Sequence, residues 1–136
     1  MTEPTIIHKT ALAVIKDKKI IMVREGKNKD VFYMLGGTVE PGEADDESLI
    51  REVQEEAGVK IKVATLKYLN EFQDTAHGRE NTLVNIKLYL GDLDGQPVPT
   101  SEIEEIQYFD STVDKKHLTP ISIQIFDWLK RRNYIG

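Results

Sequence analysis

The chain has 136 residues, 40% hydrophobic and 30% charged, with a net charge of −5, a pI of about 5.2 and no cysteine. That length makes one domain over 1–136 with a core of its own, and the acidic balance argues against binding long nucleic acids, which needs a basic surface. The missing cysteines exclude a disulfide framework and thiol chemistry, and neither a secretory leader in MTEPTIIHKTALAV nor an apolar run of membrane-spanning length is seen, which implies a cytoplasmic protein with no membrane partner.

In chain order, residues 6–15 (IIHKTALAVI) are apolar and β-prone. Lys16 to Lys19 makes a turn and Ile20 to Val23 a second strand, giving a hairpin. Glu25 to Asp30 is a charged, glycine-containing loop, and Val31 to Leu35 is a short strand running into a Gly36-Gly37 turn. Pro41-Gly42 marks another turn, after which a helix runs from about Ala44 to Ala57, stopped by Gly58. Lys60 to Phe72 is β-rich, Gln73 to Glu80 a polar loop, Thr82 to Leu90 a strong strand, and Asp92 to Ser101 a loop with Gly95, Pro97 and Pro99. Ile106 to Phe109 is a short strand, and Pro120 opens a C-terminal helix with Ile121, Ile125, Phe126 and Leu129 as its apolar stripe. A β-rich chain with two helices suits an α+β fold, an α/β/α sandwich with a mixed sheet between the first helix and the C-terminal one. There are no repeats, low-complexity segments or internal linkers.

The first helix carries the chemistry. Glu43 to Glu56 holds seven acidic residues and one basic one, Arg51, with no basic residue set to neutralise Glu52, Glu55 and Glu56. Glutamates at i and i+4 repel by roughly 0.2–0.5 kcal/mol per pair. At 100° per residue Leu49, Ile50, Val53 and Ala57 form the buried stripe, while Asp45, Glu52, Glu55 and Glu56 fall on an adjoining arc. The acids therefore flank the packed face, where the Gly36-Gly37 turn can meet them. Such a cluster suits an oxygen-preferring divalent cation, Mg²⁺ or Mn²⁺, and such cations commonly work on phosphates. A solvated acidic helix face is the bland alternative.

The spacing is specific. Gly37, five residues, Glu43, seven residues, Arg51-Glu52-Val53, Gln54, Glu55-Glu56, Ala57, Gly58 and Val59 resemble the Nudix box at all nine defined positions over 23 residues. The order of elements around the box also resembles the Nudix fold.

This resemblance implies a Mg²⁺-dependent hydrolase of a pyrophosphate bond in a nucleoside diphosphate derivative. It implies Glu52 and Glu56 as the principal metal ligands, Glu55 assisting directly or through water, and the Gly36 carbonyl as a further oxygen. Arg51 would hold a box glutamate in position. Glu43 would support the loop and the helix N-terminus, where negative charge is favoured, or be a simple first-turn acid. The family often adds an acid from outside the box. Glu102, in the acidic stretch Ser101 to Glu105, is the first choice for extra ligand or general base, and Glu80 the second. A solvated acidic loop explains Glu102 equally well. Arg24, where MutT-type relatives place a substrate-contacting arginine, and Gly37, Thr38, His77 and Arg79 are the substrate-side candidates. A plain surface role is the commoner one for a lone His or Arg.

The box announces chemistry rather than substrate. A small member of this kind resembles MutT-type enzymes, which convert (d)NTPs to NMP and pyrophosphate. Three departures count against 8-oxo-dGTP in particular: Thr38 in place of a common Lys, Leu35 in place of a common Pro, and no asparagine in Leu118 to Ser122. ADP-ribose, sugar nucleotides and dinucleoside polyphosphates are the alternatives, although no proline lies between Val59 and Gln96 and neither Tyr68 nor Tyr89 has the spacing of the diadenosine-type marker. A non-catalytic nucleotide sensor is the alternative of another class, disfavoured because every box acid is present. A structural acidic domain without ligand would show no response to Mg²⁺. Trp128 and Tyr134, read as exposed, are compatible with a homodimer interface or with core packing.

Overall fold

The computed structural model describes residues 2–27 and 30–136. The expected loop from Glu25 to Asp30 falls partly on Asn28 and Lys29, which lie outside the described residues. The strands are β1 (Thr5–Ala13), β2 (Ile15–Lys16), β3 (Lys19–Glu25), β4 (Tyr33–Thr38), β5 (Lys60–Thr75), β6 (Thr82–Asp94) and β7 (Ile103–Phe109). The helices are α1 (Asp45–Ala57) and α2 (Pro120–Arg131), with one 3₁₀ turn at Lys115–His117.

The strands run in the order β2-β3-β4-β1-β6-β5, and β7 pairs with β3. The β1–β6 pair is parallel and the others antiparallel, so the sheet is mixed. Strand β4 joins two sub-sheets: its start pairs with β3 through Met34 and Tyr33, and its end pairs with β1 from Leu35 to Thr38.

Side chains alternate across a strand, and this splits the core in two. Ala11, Ala13, Ile20 and Met22 pack with Ile121, Ile125, Phe126 and Leu129 of α2. Leu12, Val14, Ile21 and Val23 pack with Leu49, Val53 and Ala57 of α1. The helices thus cover opposite faces of an α+β sandwich. Each fully buried Leu, Ile or Val contributes roughly 1.5–3 kcal/mol relative to exposure. A buried hydrogen bond from Thr10 Oγ1 to Ser48 Oγ, 3.1 Å, ties β1 to α1.

Several boundaries differ from those expected. The Gly36-Gly37 turn is strand, because both residues pair with β1. The hairpin turn narrows to Asp17 and Lys18, whose φ values of 52° and 62° fit a tight two-residue turn. Strands β5 and β6 run past Phe72 and Leu90, because their mutual pairing extends the polar ends. Strand β7 starts at Ile103, so Glu104 and Glu105 are strand residues; Glu105 pairs with Arg24 of β3, and Glu104 falls at the register shift beside it. Trp128 and Tyr134 are both half-buried rather than exposed: Trp128 meets Phe72 edge-on, stacks on Tyr134 and lies under Arg132. Among the described residues no helix is long and apolar enough to cross a membrane.

Candidate active site

Helix α1 lies across the end of β4, and two glycines let it come close. An added Cβ at Gly37 would sit 2.6 and 2.7 Å from the carboxylate oxygens of Glu52. Gly36 has φ +131°, and a Cβ there would lie 2.9 Å from the Cα of Ala11 and overlap the carbonyl oxygen of Thr10. Only glycine accepts that conformation without strain. In the space so cleared, the Gly36 N–H donates to Glu56 Oε1 at 2.9 Å.

Burial drives the electrostatics of these acids. It raises the pKa of Glu52, partly offset by Arg51 and Lys9. It pushes Glu56 up to about 8, helped by the negative charges of Glu52 and Glu25 and opposed by the Gly36 N–H and Lys9. The ionised pair is therefore costly in this environment without a compensating cation.

The expectation that no base neutralises the cluster is corrected by Arg51. Its Nε and Nη2 donate to the two oxygens of Glu43 at 2.8 and 3.0 Å, its Nη1 donates to Glu52 Oε1 at 2.8 Å, and Nη2 also reaches the Thr38 carbonyl at 3.1 Å. Glu55 Oε1 is 3.7 Å from Nη1. Arg51 thus spans three box glutamates and the end of β4. The fork holds the Glu43 carboxyl well below its ordinary range, at about 2. Glu43 also accepts from the Glu40 N–H at 2.9 Å, closing the turn before the helix.

The helix end is fixed from the loop after β6. Val98 N donates to the Ala57 carbonyl (2.9 Å), Thr100 N to that of Glu56 (3.2 Å) and Thr100 Oγ1 to that of Glu55 (2.5 Å). Gly58 closes it at φ 66°. With its last turn pinned, α1 presents Glu52 and Glu56 in fixed positions.

These carboxylates border a cavity of about 600 Å³. Of the residues singled out in the sequence, Gly36, Gly37, Thr38, Glu52, Glu56, His77 and Arg79 line it. Glu55 does not; its side chain is 56% exposed on the outer flank of α1. Arg24 lies elsewhere, its Nε bonded to Glu105 Oε1 at 3.0 Å across the β3–β7 pair. Glu102 is exposed, and its carbonyl accepts from the N–H of Gly26, just past the end of β3. Glu80 is exposed in the turn before β6. Among the further lining residues, the charged ones, Lys9, Glu25 and Lys27, and Tyr33 beside them were not singled out. The available signal was alternation, since Lys9 interrupts the apolar face Ile7, Lys9, Ala11 of β1.

The donor set tests the fit of a metal. Glu52 and Glu56 offer carboxylate oxygens at one end of the cavity, which suits an oxygen-preferring divalent ion, and their raised pKa values mark a site that a cation would relieve. Among the described residues no three acidic or histidine side chains already converge at ligand distance. One oxygen of Glu52 is held by Arg51 and one of Glu56 by Gly36. The second oxygen of each is the one that would hold the ion.

The NUDIX domain model matches residues 7–129. The chain belongs to the NUDIX domain family. Over 97 residues this NUDIX chain is 30% identical to the ADP-ribose pyrophosphatase of Methanocaldococcus jannaschii, covering 70% of this chain and 56% of that one. Over 62 residues it is 36% identical to diphosphoinositol polyphosphate phosphohydrolase 2 of Mus musculus, covering 46% of this chain and 35% of that one. It therefore spans between about a third and a little over half of the length of these curated relatives. In fold it is similar to the MutT protein from Methanosarcina mazei Go1, with a TM-score of 0.78 over 98% of this chain and 99% of that one at 17% identity.

Proposed function

We propose that this NUDIX protein hydrolyses a pyrophosphate bond in a nucleoside diphosphate derivative with Mg²⁺, Mn²⁺ being a substitute, and that its substrate is a (d)NTP cleaved to NMP and pyrophosphate. The observation that carries this reading is the pair of shielded carboxylates, Glu52 and Glu56, in a cavity also lined by Lys9, Glu25, Lys27, His77 and Arg79. Carboxylates together with the charged groups of Lys9, Lys27 and Arg79 in one cavity suit a polyanion that brings a divalent ion with it.

In this reading Glu52 and Glu56 would hold the ion, with the Gly36 carbonyl nearby; Glu55, exposed on the flank of α1, would assist through water. When bound, the ion offsets the charge of the phosphate oxygens and acidifies a water. Arg51 keeps Glu52 oriented through its bond to Oε1. A carboxylate of the site that does not hold the ion accepts the proton of the attacking water; Glu55 and Glu102, the candidates from the sequence, do not line the cavity. The water oxygen bonds to phosphorus as the bridging P–O bond breaks, and pyrophosphate leaves with the electron pair. Positioning and charge stabilisation supply most of the catalysis.

ADP-ribose is the second reading, supported by the named activity of the Methanocaldococcus jannaschii relative. The test is a Mg²⁺-dependent hydrolysis screen over (d)NTPs, 8-oxo-dGTP, ADP-ribose, sugar nucleotides and dinucleoside polyphosphates, with Glu52→Gln as blank. A triphosphate converted to monophosphate and pyrophosphate, and lost in the variant, supports the first reading. Cleavage of ADP-ribose alone selects the second. Nucleotide binding without hydrolysis of any compound would overturn both in favour of a sensor.

A further inference from the structure

Four cations, Lys9, Lys27, Arg51 and Arg79, and one histidine, His77, stand in or beside the cavity, and they differ in how they are committed. Arg51 is bonded to Glu43 and Glu52. Lys27 is 76% exposed and lies 3.4 Å from Glu25 Oε2. His77 and Arg79 are exposed in the loop after β5.

Lys9 is different. It is half-buried on β1, a strand paired on both sides by β4 and β6. Among the described residues no carboxylate lies within ion-pair distance of it; its nearest recorded partner is the Tyr33 ring, 6.0 Å from Nζ to centroid. It lines the same cavity as Glu52 and Glu56 and acts on both through its charge. A half-buried ammonium without a hydrogen-bonded partner is costly. The central strand fixes its backbone, so only its side chain has to order when an anion arrives.

We propose that Lys9 anchors the substrate: its ammonium binds a phosphate oxygen of the polyphosphate whose anhydride bond is cleaved beside Glu52 and Glu56. The inference rests on the anhydride-hydrolase reading. A lysine serves here as a compact point charge with three donors, suited to phosphate. The register supplies an internal control. Lys9 pairs directly with Thr38, so both side chains leave the same face of the sheet, and both line the cavity. A lysine at 38 places an ammonium next to the one lost at 9.

The experiment is calorimetric titration with magnesium pyrophosphate, alongside KM and kcat for the substrate found in the screen. For Lys9→Met the affinity for magnesium pyrophosphate falls, and KM rises, by roughly 10- to 100-fold, as for the loss of one charge-assisted hydrogen bond, while kcat changes by less. Lys9→Arg retains most of the affinity, and Lys9→Met with Thr38→Lys recovers much of it. If Lys9 only balances the acids, Lys9→Met shifts the Mg²⁺ concentration for half-activation and leaves pyrophosphate affinity unchanged, which overturns the proposal. Wild-type hydrolysis with an unaltered KM in Lys9→Met defeats the Lys9 inference alone. A wild type that binds no magnesium pyrophosphate and cleaves no anhydride defeats the functional reading and the anchor with it.

Discussion

The carboxylate of Glu52 fills the space that a side chain at position 37 would need, 2.6 and 2.7 Å from where a Cβ of residue 37 would stand. Gly37 has no strained φ, so Gly37→Ala keeps its backbone and displaces only Glu52. The expected result is a nearly unchanged melting temperature with turnover reduced by about 10²-fold, as for a misplaced catalytic group. Gly36→Ala is different, because its φ is +131° and its Cβ would meet the backbone of Thr10 and Ala11. It should cost about 3 kcal/mol in denaturant unfolding. Equal effects of the two variants on stability would contradict this division.

Arg51 is predicted to act as an organiser of charge rather than as a surface ion pair. Replacing it by Met releases Glu43, Glu52 and the Thr38 carbonyl together. The Glu43 carboxyl, held at about 2, should return towards its ordinary value of 4.5 in an NMR titration. Turnover should fall by about 10²-fold, and Arg51→Lys should restore little, because a lysine cannot present the fork that meets both oxygens of Glu43.

Glu56 makes the stability of the metal-free protein depend on pH in a defined direction. Its folded pKa is raised from 4.5 to about 8, chiefly by burial. The folded state therefore binds more protons than the unfolded state between those values, and stability declines as pH rises. The contribution is fully present below about 4.5 and is lost as pH passes through about 8. Denaturation in EDTA across this range should show the decline in wild type and a flatter profile in Glu56→Gln. Parallel profiles would refute the assignment.

Divalent metal should reverse that penalty. Mg²⁺ with a nucleotide at a hundred times its Kd stabilises by about 2.7 kcal/mol if it binds only the folded state. Thermal shift should rise with Mg²⁺ plus nucleotide, vanish on chelation and be weak in Glu52→Gln. A shift that persists in EDTA would count against a carboxylate metal site. Activity should be highest at alkaline pH, where the carboxylates and the attacking water have lost their protons.

Much of this protein was legible in its sequence. The box spacing, the buried stripe of α1 and the stripe of α2 are local patterns, and Leu49, Val53, Ala57, Ile121, Ile125, Phe126 and Leu129 are all buried. The family and the α+β class followed from them. The helical arc also placed Glu52 and Glu56 beside the packed face, because 100° per residue is a property of the chain itself.

Only the tertiary structure decided which distant side chains meet. The glycine pair read as a turn because glycine favours turns locally, yet pairing with β1 makes it strand. Arg24 and Glu25 are neighbours in sequence but leave β3 in different directions: Arg24 bonds to Glu105 on β7 and Glu25 enters the cavity. Lys9 shares a cavity with the carboxylates because the β1–β4 register sets it beside Thr38. Strand register depends on pairing between segments far apart in sequence, and a shift of one residue exchanges the two faces. The chain thus determined by itself which acids it carries and on which helical face; the folded sheet decided which cations stand opposite them.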